Sequence, residues 1–330
     1  MAENILTVKE AKEPKAIFEN PWSVGVQELI DKVQSEAYKA TPTGIKQLDK
    51  ILGGGFVNQQ LVGITGRPGA GKTAFCQYLI ESMALSRADF SALYLCFEMS
   101  KEQLQARSIS RLLHSGKHDE LTALEVLQGK GKWLDGAKAY EKMYADKVAY
   151  MSVGGGLVDN NIDNVVQTIE KALDCKKQEG NPAPYIVIDY LQIVSVAGQG
   201  EFEAIGTIMS KLKGLAVKYD TVIIIVIANN RDSNKKGEND MFSGRGSGSI
   251  EYGVDALLSL NPPDVDNQGT NKQDNIVTVK VAKGRWIEPG QKAFFNFNAK
   301  YMEYEEKPNA STVLSSKEQK IATDLFNMKA

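Results

Sequence analysis

The stretch TGRPGAGKT at residues 65–73 has the composition of a phosphate-binding loop. It fits the pattern G-x-x-x-x-G-K-[ST] in full, with a short apolar run before it and a helical pattern after it. Glycines let backbone N–H groups turn toward phosphate oxygens, and the N-terminus of the following helix adds partial positive charge. The predicted nucleotide contacts are Gly66, Arg67, Pro68, Gly69, Ala70, Gly71, Lys72, Thr73 and Ala74.

Two residues of this loop and one distant acid suggest how ATP and Mg²⁺ would be held. Lys72 can reach the β- and γ-phosphates, and the hydroxyl of Thr73 can ligate Mg²⁺. Asp189 ends the apolar run YIVID, so it should emerge at the carboxyl edge of a sheet, where open α/β sheets bind ligands. We therefore expect Asp189 to hold Mg²⁺ together with Thr73, directly or through water.

Glu98 is the candidate for the chemical step. It follows the apolar run LYLCF and should reach the same sheet edge as Asp189. A carboxylate there can orient and deprotonate the water that attacks the γ-phosphate. The alternative is an acid that merely suits the dipole of the helix beginning at this point, and position in the sequence leaves both interpretations open.

The elements that must position these residues alternate along the chain. Apolar runs that fit buried strands lie at 60–65, 90–97, 147–153, 185–189 and 221–228. Helical patterns lie at about 71–86, 101–113, 161–178 and 205–219. This alternation predicts an α/β fold with a parallel sheet and crossover helices. After residue 255 strand follows strand, which predicts an antiparallel extension at one edge of the sheet.

Composition excludes several classes of protein. The chain has 330 residues and a net charge of −2, so its overall charge argues neither for nor against a nucleic-acid partner. No apolar run approaches the roughly 18–20 residues of a membrane span, and the N-terminus lacks the apolar core of a secretory signal. Three scattered cysteines without metal-binding spacing favour reduced thiols and a cytoplasmic location.

The chain divides into a main domain with shorter flanking segments. We predict an irregular arm at 1–22, a linker helix at 23–40, the main domain at 41–306 and a charged tail at 307–330. The linker helix has an apolar stripe of Val26, Leu29, Ile30 and Val33. That stripe can cover its own domain or dock on a neighbouring subunit, and the pattern does not choose between them.

Several motifs in order resemble one family. They are TGIKQLDKILGGG (43–55), FEMSKEQL (97–104), IVIDYLQIV (186–194), NR (230–231), RGSGSIE (245–251) and AKGR (282–285). Together they look like the helicase domain of the DnaB-type replicative helicases of bacteria and phages, over roughly residues 23–306. The resemblance implies a RecA-like P-loop NTPase fold with a mainly parallel central sheet and an antiparallel C-terminal extension.

The resemblance also implies an activity and an assembly. It implies a homo-hexameric ring that hydrolyses ATP, moves along single-stranded DNA and unwinds duplex DNA during replication. It assigns Glu98 as the catalytic base and packs the linker helix on the next subunit. Lys283 and Arg285 match a Lys-x-Arg pair that reaches the nucleotide of the adjacent subunit. Alternation along a strand would point both cations the same way, although a solvated strand face has the same pattern.

The glycine-rich stretch 232–249 corresponds to the family's DNA-binding loop, which lines the central channel and holds single-stranded DNA by its phosphates. Its predicted DNA contacts are Arg245, Gly246 and Gly248. Sequence-neutral tracking of a strand needs only backbone amides and modest charge. An ordinary surface loop is the alternative.

This sequence departs from the family at three places. Only about 22 residues precede the linker helix, where the family usually has a collar domain that meets primase; coupling to a primase or loader therefore stays open, and a phage, plasmid or mobile-element source is suggested. Ala228 occupies the position where the family has a glutamine that senses the γ-phosphate, and the DNA loop reads RGSG instead of RESG. A RecA- or RadA-like recombination ATPase and a nucleotide-dependent DNA-binding scaffold that unwinds nothing are the alternative functions.

Overall fold

The computed structural model describes residues 26–153, 156–157, 159–228, 247–262 and 275–307. The chain forms two units, Met1–Lys39 and Ala40–Ala330. Within the first unit, helix α1 spans Gln27–Gln34, shorter than predicted. Its apolar stripe is solvent-exposed, with 40–66% of Val26, Leu29, Ile30 and Val33 accessible.

The described residues of the second unit form a ten-stranded sheet in the order β10-β9-β8-β7-β1-β6-β5-β2-β3-β4. The strands are β1 (Leu61–Gly66), β2 (Ala92–Cys96), β3 (Val148–Val153), β4 (Gly156–Leu157), β5 (Tyr185–Asp189), β6 (Ile223–Ala228), β7 (Ala256–Asn261), β8 (Ile276–Gly284), β9 (Lys292–Asn298) and β10 (Glu303–Glu306). Strands β7, β1, β6, β5, β2, β3 and β4 run parallel. The antiparallel extension consists of β8, β9 and β10 only, because β7 pairs in parallel with β1.

Helices cover both faces of this sheet. They are α2 (Lys46–Ile51), α3 (Lys72–Ser86), α4 (Lys101–Ser115), α5 (Ala123–Leu127), α6 (Trp133–Tyr144), α7 (Ile162–Gln178), α8 (Glu201–Lys218) and α9 (Ser247–Gly253). Helices α2 to α6 contribute to one apolar core, and α7 to α9 contribute to a second one. Strands β1, β2 and β5 are buried at every position, as expected for strands covered on both faces.

Helices α5 and α6 lie in a connection where we predicted no helix. Helix α5 begins with a capping box, in which the hydroxyl of Thr122 accepts from the Glu125 N–H and the Glu125 carboxylate accepts from the Thr122 N–H. The signal was present in the sequence as T-x-x-E at 122–125, a pattern that satisfies two otherwise unpaired N–H groups. None of the helices in the described segments is long and apolar enough to cross a membrane.

Parallel pairing brings the ends of several strands to one edge. Cys96 lies opposite Asp189 across the β2–β5 pair, and Gly66 lies opposite Ala228 across the β1–β6 pair. Residues that follow these four strands therefore meet at the carboxyl edge of the sheet.

Candidate nucleotide site

The glycine-rich loop joins β1 directly to α3. Its backbone takes positive φ at Gly69 (+79°) and Gly71 (+82°), which L side chains rarely adopt. Gly71 is the N-cap of α3, and no side chain caps that helix. Because the first N–H groups of a helix have no partner within it, the α3 N-terminus is available to an anionic ligand.

The antiparallel extension supports this loop from behind. The hydroxyl of Tyr304 on β10 donates to the carbonyls of Ala70 and Gly71 at 3.4 and 3.3 Å. A Cβ at position 71 would lie 2.5 Å from the same hydroxyl and 3.1 Å from the ring of Phe297. Gly71 is therefore required both by its φ value and by the close approach of these two rings.

A cavity of about 520 Å³ lies in front of the loop and brings Lys72, Glu98 and Asp189 together. The predicted nucleotide contacts that line it are Pro68, Gly69, Gly71, Lys72, Thr73 and Ala74. Gly66, Arg67 and Ala70 do not line it. A Cβ at Gly66 would lie 2.8 Å from the Leu260 carbonyl oxygen, so Gly66 lets the loop pass close to β7.

Lys72 is folded back onto the loop. Its Nζ donates to the carbonyls of Gly66 at 2.8 Å and Arg67 at 3.1 Å. Burial lowers the pKa of Lys72, and the negative charge of Asp189 opposes that effect. A phosphate in the cavity would act in the same direction as Asp189, because an anion favours the charged ammonium.

Asp189 is buried, with 2% of its surface accessible. The hydroxyl of Tyr94 donates to its Oδ2 at 2.6 Å. Desolvation raises the pKa of Asp189, whereas hydrogen bonds from Tyr94 and Thr73 act to lower that pKa. The two donors therefore favour an ionised carboxylate at a site where burial alone would favour a neutral acid.

The donor set suits a magnesium ion better than a softer metal. Asp189 and Thr73 offer a carboxylate and a hydroxyl oxygen at the cavity. Over the described residues, no group of three or more His, Cys, Asp and Glu side chains could hold a metal ion. Mg²⁺ is typically held by one or two carboxylates together with phosphate and water oxygens, so this sparse set fits a metal that arrives with a nucleotide.

Sequence reasoning missed three residues of this region, namely Tyr94, Arg107 and Gln192. Tyr94 stands inside the buried strand β2, where a core aromatic is the expected interpretation. Arg107 lines the cavity from α4, whose amphipathic pattern does not distinguish this cation from a solvated one. Gln192 donates to the Ala228 carbonyl at 2.8 Å and accepts from the Ala228 N–H at 3.1 Å. An amide therefore does reach the end of β6, but it comes from the short 3-10 helix Leu191–Ile193, which follows the neighbouring strand β5.

Lys283 and Arg285 lie at the opposite edge of the sheet from this cavity. Lys283 is paired with Leu257 near the start of β7, and the Arg285 N–H donates to the Asp255 carbonyl at 2.9 Å. The Asp255 N–H in turn donates to the carbonyl of Leu61, the first residue of β1, at 2.8 Å. Because β1 rises about 3.3 Å per residue, the two cations are separated from their own phosphate loop by roughly the length of that strand.

Strand alternation applies only to Lys283 of this pair, because Lys283 lies within β8. Arg285 follows the end of β8, and the pairing of β7 with β8 shifts register between Leu257 and Leu258. The Lys283 Nζ donates to the α9 carbonyl of Glu251 and, at 2.9 Å, to the carbonyl of Val254. Burial lowers the pKa of Lys283, and so does the nearby charge of Arg285.

The predicted DNA contacts are only partly described. Arg245 and Gly246 lie outside the described residues. Gly248 lies in α9 (Ser247–Gly253), so the predicted loop ends earlier than residue 249 and a helix begins there.

The fold and the cavity define an α/β P-loop nucleotide-binding protein. The particular family follows from comparison with known proteins: residues 40–306 match the DnaB-like helicase C terminal domain. The chain belongs to that family, and the RecA-like fold expected from the motifs is confirmed.

The relatives are replicative helicases of modest identity. The chain is 28% identical over 249 residues to replicative DNA helicase DnaB of Geobacillus stearothermophilus, covering 74% of this chain and 52% of the relative. It is 27% identical over 290 residues to replicative DNA helicase DnaC of Bacillus subtilis, covering 85% and 60%. The chain thus spans about half to three-fifths of the length of these relatives.

Two solved structures share the fold. One is the ATPase domain of another protein, and it aligns with a TM-score of 0.69 at 19% identity, covering 85% of this chain and 96% of that one. The other is a DnaB-like replicative helicase, described together with its interactions with primase, which aligns with a TM-score of 0.70 at 19% identity, covering 87% and 68%.

Proposed function

We propose that this protein is an ATP hydrolase that moves along single-stranded DNA and unwinds duplex DNA as a ring of identical subunits. One observation carries the proposal in a chain of this family: a single cavity brings together the phosphate loop, the buried Asp189 and Glu98. The proposal includes a cytoplasmic location, which suits the three free cysteines, two of them buried and one exposed.

The residues of the cavity have separate roles in ATP hydrolysis. The α3 N-terminus and Lys72 bind the β- and γ-phosphates, and Thr73 and Asp189 hold Mg²⁺. When bound, Mg²⁺ neutralises charge on these phosphates. Glu98 orients a water molecule and accepts its proton as that water attacks the γ-phosphate.

Arg285 completes the site from another copy of the chain. It lies across the sheet from its own phosphate loop, so it serves a nucleotide only where a neighbouring subunit brings one to that edge. An arginine supplied in this way raises turnover by about 10³–10⁵-fold, equivalent to about 4–7 kcal/mol of barrier. Lys283 can bind the same nucleotide only after its Nζ leaves its present carbonyl partners and donates to phosphate oxygens instead.

DNA binding and ring closure involve two further segments. The connection between β6 and α9 carries Arg245 and Gly246 and begins directly after Ala228, which lines the cavity, and Gly248 follows within α9. This placement supports a coupling between the nucleotide site and DNA binding. The exposed apolar stripe of α1 suits docking on a neighbouring subunit. A primase or loader partner is left open.

The direct test is unwinding of a forked DNA substrate with ATP and Mg²⁺, beside a mass measurement of the assembly. We expect hexamers, DNA-stimulated hydrolysis and strand separation, and we expect Lys72→Ala to abolish hydrolysis. Hydrolysis without strand separation would favour the scaffold function, and open filaments with strand exchange would favour a recombination ATPase. A mixture of Lys72→Ala and Arg285→Ala subunits should regain activity, because some interfaces then combine an intact loop with an intact arginine.

A further inference from the structure

Asp255 occupies an unusual place among the charged residues of the fold. It immediately precedes β7, and only 5% of its side chain is accessible. Its Oδ2 accepts from the Leu61 N–H at 2.8 Å and from the Lys213 Nζ at 2.6 Å. Its Oδ1 lies 3.1 Å from the Nε of Arg285. One carboxylate oxygen is therefore held by the framework of β1 and α8, and the other holds Arg285.

The Oδ2 contacts set the direction in which Oδ1 points. Leu61 starts β1, the strand that leads to the phosphate loop, and Lys213 is anchored in addition by the Gln59 carbonyl at 2.7 Å. Two such donors leave the carboxylate little freedom to rotate. The Oδ1 atom is thus a fixed acceptor at the edge of the sheet opposite the cavity.

This acceptor controls how Arg285 presents its charge. A guanidinium has five N–H donors in a rigid plane, and the ion pair at Nε leaves the four on its terminal nitrogens for another group. The Arg285 side chain is 52% accessible. Fixing one edge of the plane reduces the conformational entropy that is lost when the opposite edge binds an anion.

We propose that Asp255 is a positioning residue, which aims the terminal nitrogens of Arg285 at the phosphates of a nucleotide bound by a second copy of this chain. The inference rests on the proposed function, because it requires Arg285 to act across a subunit interface. Asp255 itself does not touch the nucleotide. The competing role is purely structural, in which Asp255 ties the start of β1 to α8 and affects only the phosphate loop of its own chain.

The two roles predict different defects in Asp255→Asn subunits. The defect lies either in the arginine that a subunit supplies to its neighbour or in the subunit's own phosphate loop. If Asp255 acts through Arg285, the variant keeps an intact loop and supplies a poor arginine. It should then regain activity when mixed with Lys72→Ala subunits, and gain nothing when mixed with Arg285→Ala subunits. If Asp255 serves only its own loop, the pattern reverses: Arg285→Ala rescues it and Lys72→Ala does not.

The experiment measures steady-state ATP hydrolysis of the full chain, alone and in these two mixtures. We expect Asp255→Asn to lower kcat by about 10- to 100-fold, the cost of a misplaced catalytic group, with little change in KM for ATP. In an Arg285→Ala background the same change should cause no further loss of kcat. The reversed mixing pattern, an unchanged kcat, or an additional loss in the Arg285→Ala background would each overturn the proposal.

Controls separate this inference from the proposed function and from misfolding. Asp163→Asn removes another carboxylate paired with a lysine, Lys211 on α8, and should behave as wild type. Asp255→Glu keeps the charge but moves the acceptor atom. If Asp255→Asn does not fold, Asp255→Glu should regain activity when mixed with Lys72→Ala subunits and gain nothing when mixed with Arg285→Ala subunits. If Lys72→Ala and Arg285→Ala fail to complement each other, the trans arginine itself is refuted. If they complement while Asp255→Asn fails to be rescued by Lys72→Ala, only the positioning role is refuted.

Discussion

Replacing Tyr94 tests the proposal that the buried Asp189 holds magnesium. Tyr94 is fully buried on β2 and donates to Asp189 Oδ2 at 2.6 Å. Tyr94→Phe keeps the ring, removes this donor and leaves Thr73 as the remaining side-chain donor that opposes desolvation. The pKa of Asp189, already raised by burial, should rise further.

The expected magnitude follows from the type of bond. A hydrogen bond to a charged acceptor contributes about 1.5–3 kcal/mol, and about 1.4 kcal/mol corresponds to a tenfold change in an equilibrium. Since the ionised carboxylate is the proposed metal-binding form, we expect half-saturation of ATP hydrolysis to require roughly tenfold more Mg²⁺, or more, at pH values below the pKa of Asp189. The defect should be largest at low pH and should diminish as the pH rises, because alkali restores the ionised form.

The assay is a titration of hydrolysis against Mg²⁺ at several pH values, with Tyr150→Phe as the matched control. The ring of Tyr150 lies 5.4 Å from that of Tyr94, but its hydroxyl donates to Glu81 at 3.3 Å instead of Asp189. Both variants lose one buried hydroxyl, and only Tyr94→Phe should change the Mg²⁺ requirement. An equal requirement in Tyr94→Phe and the wild type, at all pH values, would refute the reasoning.

Three further changes test other parts of the site. Glu98→Gln should lower kcat by about 10²–10⁴-fold while nucleotide binding persists; phosphate release and equilibrium dialysis measure the two, and substantial turnover would remove the base assignment. Gln192→Met loses both hydrogen bonds to Ala228, the residue after which the proposed DNA-binding segment begins. At about 0.5–1.5 kcal/mol for each bond, the loss should reduce the stimulation of hydrolysis by single-stranded DNA several-fold. An unchanged stimulation ratio would contradict a coupling between Ala228 and DNA binding. Arg111→Met leaves the buried Glu81 without its ion-pair partner, and should lower the free energy of unfolding by about 3–5 kcal/mol; an unchanged urea midpoint would contradict this.

Local sequence patterns predicted the part of the site whose residues are adjacent in the chain. The phosphate loop needs only glycines, a lysine and a threonine between a strand and a helix, so residues 66–73 were enough to identify it. Asp189 and Glu98 could be placed at the same edge because parallel strands end on the same side of a sheet. Short elements such as α5 were missed because five residues carry too little periodicity to stand out.

Other features depended on which strands become neighbours. Tyr94 reaches Asp189 because β2 pairs with β5, and Arg285 reaches Asp255 because β8 returns antiparallel along β7. The sequence by itself therefore determined the phosphate loop, the alternation of strands and helices, and the family motifs, because each of these depends on residues that are close together in the chain. Only the tertiary structure decided that Arg285 lies across the sheet from its own loop and that Asp255 holds it, since both facts depend on strand order and on contacts between residues far apart in the chain.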